Sequence, residues 1–304
     1  MNELIKVSEG FHFLEGPRWH ENKLWFSDMH GYCVYSLDEN NNIEEIANIP
    51  NQPSGLGWLP DNSMLIVSML DRKLMRLKDG ELTLHADLSD LTPYQCNDMV
   101  VSKDGTAYVG NFGAENVESK INKTCLISVK KNGETKICAE NLLFPNGTVI
   151  TEDGKELIVG ETFGGVLTSF KINEEGDLKN KSKWANIMPL RYKIITTLLR
   201  FLGITPKESN TIPFPVPDGI CLDSDYGIWI ASPTTSEVIR YKKGGQITNR
   251  IKTPKPAYAC MLGGQNGKDL FILVAGSSNP QFCKENKTGE IYKVSVDFSR
   301  AGLP

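Results

Sequence analysis

Phe144-Pro145-Asn146-Gly147-Thr148-Val149-Ile150 sets an oxygen-bearing side chain at the head of a short apolar strand, and the chain repeats that arrangement. Glu15-Gly16-Pro17-Arg18-Trp19 opens the series, Asn97-Asp98-Met99-Val100-Val101 comes next, and Asp218-Gly219-Ile220-Cys221-Leu222 follows. Each unit runs on through a polar turn, such as Lys103-Asp104-Gly105, Glu152-Asp153-Gly154 or Ser224-Asp225-Tyr226-Gly227, into a second apolar strand. If the units wind around an axis, their leading side chains meet there. Glu15, Asn97, Asn146 and Asp218 would then bring two carboxylates and two amides to one point, a donor set for a hard cation.

Extended over the whole chain, the leading positions are Glu15, Ser54, Asn97, Asn146, Asp218 and Cys260, separated by 39, 43, 49, 72 and 42 residues. A period of about 40–45 residues is that of a four-stranded propeller blade. The expectation is an all-β fold: one six-bladed β-propeller domain over residues 1–304, with an insertion inside the longest step. Second strands such as Leu65-Ile66-Val67-Ser68 and Ile228-Trp229-Ile230-Ala231 are unbroken apolar runs, as strands covered on both faces should be. Third strands such as Lys73-Leu74-Met75-Arg76-Leu77 and Glu237-Val238-Ile239-Arg240-Tyr241 alternate, which suits a position nearer the rim. Fourth strands such as Ile43-Glu44-Glu45-Ile46 are polar and suit an outer edge. The sixth repeat lacks a fourth strand, so Leu4-Ile5-Lys6-Val7 is expected to supply it and close the ring.

The insertion, at about 184–214, carries Ile194, Ile195, Leu198, Leu199 and Leu202 at helical spacing, with Gly203 placed as a cap. It is expected to be a partly helical loop over the mouth that bears the leading residues. There it would serve as packing, as a lid, as a homodimer contact or as a membrane-surface helix.

A net charge of −4 and 23% charged residues give no reason to expect nucleic acid as a partner. No apolar run is long enough for a membrane span, and the start is mixed polar without a secretory core. Seven cysteines, none in a CxxC pair, read as reduced thiols filling the core of a cytoplasmic protein. His12, His20, His30 and His85 have no metal-ligand spacing and are expected at the surface. There is no serine elbow motif to support a serine hydrolase.

Four motifs in order, Glu15-Gly16-Pro17-Arg18-Trp19, Asn97-Asp98, Phe144-Pro145-Asn146-Gly147 and Pro217-Asp218-Gly219, resemble the SMP-30/gluconolactonase/luciferin-regenerating enzyme-like family. The resemblance runs from about Phe13 to the Ala301-Gly302-Leu303-Pro304 tail. It implies a six-bladed propeller that holds one divalent cation in its central channel and hydrolyses lactones, with organophosphate esters cleaved by some relatives. Carried over by motif, Glu15, Asn97, Asn146 and Asp218 are the metal ligands, and Asp218 also activates water. Calcium is the first candidate ion, with magnesium, manganese and zinc as alternatives. Gluconolactonase-type members have arginine two residues before the Asn-Asp pair; this sequence departs there, with Gln95. The family's sugar-contacting glutamate falls nearest to Glu115. Asn111 and Glu161, at the ends of second strands, rim the same mouth and join Gln95 and Glu115 as expected substrate-binding residues.

The chemistry fits such a site. A cation on the lactone carbonyl stabilises the tetrahedral oxyanion. Calcium acidifies water only modestly, so a base is needed; Asp218 is the first choice, and Glu161 or Asp98 could take its place. Two other readings stay open at this point: a phosphotriesterase-like hydrolase on the same site, and a binding propeller in which the ion is purely structural. The apolar residues Met29, Met69, Phe112 and Phe163 also fall at this mouth.

Overall fold

The computed structural model describes residues 3–114, 119–189 and 214–304. The chain enters on Ile5–Phe11 (β1). Blade one is Leu14–His20 (β2), Lys23–Asp28 (β3), Cys33–Leu37 (β4) and Ile43–Asn48 (β5). Blade two is Pro53–Trp58 (β6), Met64–Ser68 (β7), Lys73–Lys78 (β8) and Glu81–Asp87 (β9). Blade three is Cys96–Val101 (β10), Ala107–Asn111 (β11), Thr124–Val129 (β12) and Thr135–Leu142 (β13). Blade four is Pro145–Ile150 (β14), Glu156–Glu161 (β15), Val166–Ile172 (β16) and Leu178–Asn186 (β17). Blade five is Ile220–Leu222 (β18), Ile228–Ser232 (β19), Glu237–Tyr241 (β20) and Ile247–Lys252 (β21). Ala257–Gly263 (β22), Asp269–Val274 (β23) and Gly289–Ser295 (β24) make blade six, with a short helix, Pro280–Glu285 (α1), before its last strand.

Each blade is a four-stranded antiparallel meander, and blade six is completed by β1 pairing with β24. The N-terminal strand thus closes the ring, as the missing fourth strand of the last repeat predicts. The innermost strands β2, β6, β10, β14, β18 and β22 touch one another in a closed circle. Apolar side chains from facing blades fill the space between the sheets. One such layer holds Leu24, Phe26, Trp229 and Phe271, and another holds Leu65, Val67, Val109 and Ile127.

Second strands β7, β11 and β19 are buried along their whole length, whereas outer strands β9 and β21 are largely exposed. The third strands differ from the expected alternation: β12 and β20 are buried throughout. In blade five this is possible because Arg240, 1% exposed, has its charge met locally. Its Nε donates to Asp223 Oδ2 at 2.6 Å, and Nη2 donates to Asp223 Oδ1 and Asp225 Oδ2, each at 3.0 Å.

Six of the seven cysteines are buried, and none is in a disulfide. One histidine corrects the expectation of surface positions: His30 is buried, with its Nδ1 3.0 Å from Gln52 Nε2. Residues 184–186 are the end of β17 rather than part of an insertion. Residues 187–189 and 214 are described, but 190–213, and with them the helical pattern and its lid or dimer role, lie outside the described residues. Among the described residues no helix is long and apolar enough to cross a membrane.

The last residues cross the end of the channel opposite the leading side chains. Leu303 exchanges two 2.8 Å backbone hydrogen bonds with Ile150, at the end of β14, and Ala301 N donates to Leu222 O at the end of β18. The Phe298 ring lies 3.9 Å from the Arg240 guanidinium carbon.

Candidate active site at the head of the channel

The start of every inner strand is irregular. The pairing of strands one and two slips between Glu15 and Arg18, Pro53 and Leu56, Cys96 and Met99, Pro145 and Thr148, and Ala257 and Ala259. In blade five, Asp218 N donates to Ala231 O and Ala231 N donates to Gly219 O, so two residues face one. A bulge of this kind leaves a residue outside the ladder and re-aims its side chain. The residues so placed include Ser54, Asn97, Asn146, Asp218 and Tyr258; in blade one the slip falls just after the leading residue Glu15, which pairs with Ser27.

The sixth is therefore Tyr258, not Cys260. Cys260 lies two residues further along, inside the blade, with its Sγ 3.9 Å from Cys221 Sγ. Spacing could not separate the two, because both fall near one blade period from Asp218. The usable signal was the next residue. Gly16, Gly55, Gly147 and Gly219 follow four of the leading positions, and small Ala259 follows Tyr258. The reason is close approach: a Cβ on Gly55 would stand 2.4 Å from Met99 N, and one on Gly147 would stand 2.5 Å from Asp218 O. Neighbouring inner strands meet backbone to backbone at the axis and leave no room for a side chain.

Blade three breaks this rule with Asp98, which turns into the wall. Arg18 Nη2 donates to Asp98 Oδ1 at 2.5 Å and to Met99 O, while Nε and Nη1 donate to Leu56 O and Pro17 O. This buried pair ties blades one, two and three together. It also occupies both Asp98 and the one arginine among the motif residues.

The leading side chains form a chain of hydrogen bonds. Ser54 Oγ donates to Asn97 Oδ1 at 3.2 Å, Asn97 Nδ2 to Asn146 Oδ1 at 3.0 Å, and Asn146 Nδ2 to Asp218 Oδ1. Thr162 Oγ1 lies 3.2 Å from Asn146 Nδ2 and donates to Pro217 O at 2.8 Å, fixing the entry to Asp218. Glu15, Asn97, Asn146 and Asp218 are all buried. Burial pushes the Glu15 carboxyl well above its usual range, and the charges of Asp218 and Asp98 push it further. Burial likewise raises Asp218, against the lowering effect of the Asn146 hydrogen bond. Among the described residues neither carboxylate has a lysine or arginine within salt-bridge distance; Arg18 is paired with Asp98.

Two buried, mutually repelling carboxylates beside two amide groups fit a hard divalent cation, which would supply the missing positive charge. No group of three or more His, Cys, Asp or Glu side chains suited to a metal occurs among the described residues. Carboxylate and amide oxygens are donors that suit hard cations better than soft ones. Burial, with the nearby Asp218 and Glu15 charges adding to it, raises the Tyr258 phenol and keeps it protonated.

The expected substrate-binding residues have different fates. Cys96 pairs with Asn111 and Pro145 with Glu161, so the ends of second strands do share the mouth with the leading residues. Yet Asn111 is fully buried and spent on its own blade: Nδ2 donates to Cys125 O at 2.9 Å, and Oδ1 accepts from Thr124 Oγ1 and Gly113 N. Glu161 accepts from Leu143 N at 2.8 Å and Thr168 Oγ1 at 2.5 Å. Asp28 accepts from His12 N and Phe13 N, each at 2.9 Å, in the same way. Asp28 and Glu161 thus latch the incoming loop to its blade, whereas Asn111 bonds the strand and turn that follow it. Gln95 is half-buried just before β10, and its carbonyl accepts from Phe112 N at 3.1 Å. Glu115 lies outside the described residues.

Between blades three and four the mouth is aromatic. Phe112 stacks on Phe144 with ring centroids 4.5 Å apart, and Phe144 meets Phe163 at 5.3 Å. Phe144 has φ 56°, a left-handed conformation that costs a bulky residue roughly 1–2 kcal/mol. Across the channel Phe13 packs edge-on against Tyr258 at 4.6 Å.

Comparison with known proteins agrees with this architecture. The family model described as SMP-30/Gluconolactonase/LRE-like region matches residues 13–276. Pentonolactonase XacC of Haloferax volcanii is 22% identical over 266 residues, covering 86% of this chain and 81% of that protein. A luciferin-regenerating enzyme superposes with TM-score 0.77 at 16% identity, over 99% of this chain and 98% of that one. The calcium-binding protein regucalcin of Agrobacterium tumefaciens superposes with TM-score 0.75 at 18% identity, over 100% and 97%. At such identities the structural likeness speaks for the fold.

Proposed function

We propose, from the premise that this chain belongs to the SMP-30/gluconolactonase/LRE-like family, that it hydrolyses lactones with the help of a divalent cation, calcium first among the candidates. The observation that carries the reading is the buried ring of Glu15, Asn97, Asn146 and Asp218, two carboxylates without a cationic partner beside two amides. These four residues would hold the ion. Bound there, it would polarise the lactone carbonyl.

The chain's own groups supply the rest. Water adds to the carbonyl carbon while Asp218 accepts its proton. The ring C–O bond then breaks, and the proton passes to the departing ring oxygen, giving the hydroxy acid. Asn146, hydrogen-bonded to Asp218 Oδ1, holds that carboxylate in place. Asn97 and Asn146 are uncharged and so do not repel the oxyanion. The Tyr258 phenol walls the site beside both carboxylates. Asp98 is left out of the proton transfers because Arg18 holds it.

The test is a lactone panel, from glucono-δ-lactone to dihydrocoumarin, assayed in EDTA and after restoring calcium, magnesium, manganese or zinc. EDTA-sensitive turnover rescued by an oxygen-preferring ion is expected. Turnover indifferent to EDTA would rule out the cation, and hydrolysis of phosphotriesters alone would move the site to a different reaction.

A further inference from the structure

We propose that the site takes a lactone bearing an apolar alkyl or aryl substituent, held against the Phe112–Phe144–Phe163 face, rather than a polyhydroxylated ring. This rests on the lactonase reading and adds the substrate class. The first observation is position. Phe112 directly follows Asn111, Phe163 follows Glu161 by two residues, and Phe144 precedes Asn146 by two. The three rings therefore flank the point where a leading side chain enters the channel. The second is contact: the rings form one continuous surface, with centroids 4.5 and 5.3 Å apart, and Phe112 and Phe163 are only partly buried.

The third observation is conformation. Phe144 keeps a left-handed backbone, φ 56°, where glycine or asparagine would be relaxed. Its backbone is pinned there by Thr162 N donating to Phe144 O at 3.0 Å and by Leu143 N donating to Glu161. Gln52, at the same place in blade two, is left-handed as well, with φ 67°, so the loop entering the inner strand sets this conformation. Here it presents a phenyl ring between two others.

The fourth is what polar recognition lacks among the described residues. A ring with several hydroxyls needs donors and acceptors that are free to face it. Every nitrogen of the Arg18 side chain is already bonded within the wall. Asn111 and Glu161 are likewise committed to their own blades. Gln95, among the described residues on this side, is a half-buried polar side chain.

The experiment compares kcat/KM for δ-decalactone, δ-valerolactone and glucono-δ-lactone with calcium present, in the wild-type chain and in Phe112→Ala and Phe163→Ala. The tailed lactone should exceed glucono-δ-lactone at least tenfold. Its advantage over δ-valerolactone should fall about tenfold in each variant, equivalent to about 1.4 kcal/mol. Melting temperatures close to wild type would show that the variants fold. Preference for glucono-δ-lactone, or equal losses on all three substrates, would overturn the proposal. If no lactone turns over at all, the lactonase reading fails by itself, and the apolar face is then tested by titrating the inert lactam analogue of δ-decalactone. Saturable binding weakened in Phe163→Ala upholds the face, and no binding refutes it.

Discussion

Asp218 shows how one side chain carries both structure and chemistry. Its carboxylate accepts from Asn146 and faces Glu15 without a cationic partner, so the metal-free site is electrostatically unfavourable. Asp218→Asn should lower lactone kcat/KM by roughly 10²–10⁴-fold, the usual worth of a positioned base. Because it relieves repulsion, the metal-free variant should melt no lower than wild type. Calcium should raise the melting temperature of the wild type but not of the variant, since only an ion that binds the folded state stabilises it. A variant that melts lower in EDTA yet responds equally to calcium would contradict this.

His30 makes a separate pH prediction. Burial pushes its pKa from 6.5 down to about 4. Between those values the unfolded chain takes up a proton that the folded chain refuses. Stability should thus be full above pH 6.5 and fall as pH drops toward 4, by on the order of 2–3 kcal/mol. Urea titrations across this range should show the slope, and His30→Gln should flatten it.

At the scale of elements, the inner strand is the unit that makes the site. Its first residues bulge, the position after the leading residue is small in every blade but the third, and its neighbours stand within backbone contact of it. The Arg18–Asp98 pair shows how such contacts are held: side chains from β2 and β10 meet, and Arg18 also donates to the backbone of β6. Asp98→Ala would leave the guanidinium buried and unpaired, and should cost about 3–5 kcal/mol in chemical denaturation. A loss below about 1 kcal/mol would mean that water reaches the guanidinium. The repeat and most leading residues were legible in the sequence, because period, polarity and the following glycine are local features. The hydrogen-bond partners of Asn111 and Glu161 were not. Both share the mouth, but whether such a side chain faces the channel or latches its own loop depends on partners such as Thr124, Cys125 and Leu143, which nothing in their spacing announces.

The whole molecule is a ring held by its two ends. β1 completes blade six, and the tail at Leu303 spans from Ile150 across to β18. Deleting residues 1–11 should expose β24 as an open edge, lower the melting temperature and promote self-association. Differential scanning fluorimetry with light scattering would detect both effects, and an unchanged melting temperature and particle size would show that closure is dispensable.

What the sequence determined by itself is the six-fold repeat, the strand that closes it and five of the six side chains at the axis. Each follows from periodicity, and the period of a β repeat leaves little choice of architecture. What only the tertiary structure decided is which residues finish the ring and what surrounds it. Tyr258 displaced Cys260 because a register slip in β22, not spacing, selects the residue that turns inward. Asp98 went to the wall because Arg18, eighty residues earlier, reaches it. The aromatic face between blades three and four exists because rings from three separate loops converge. Long-range packing, in which each partner is indifferent to the others until the ring closes, is the part a linear pattern does not encode.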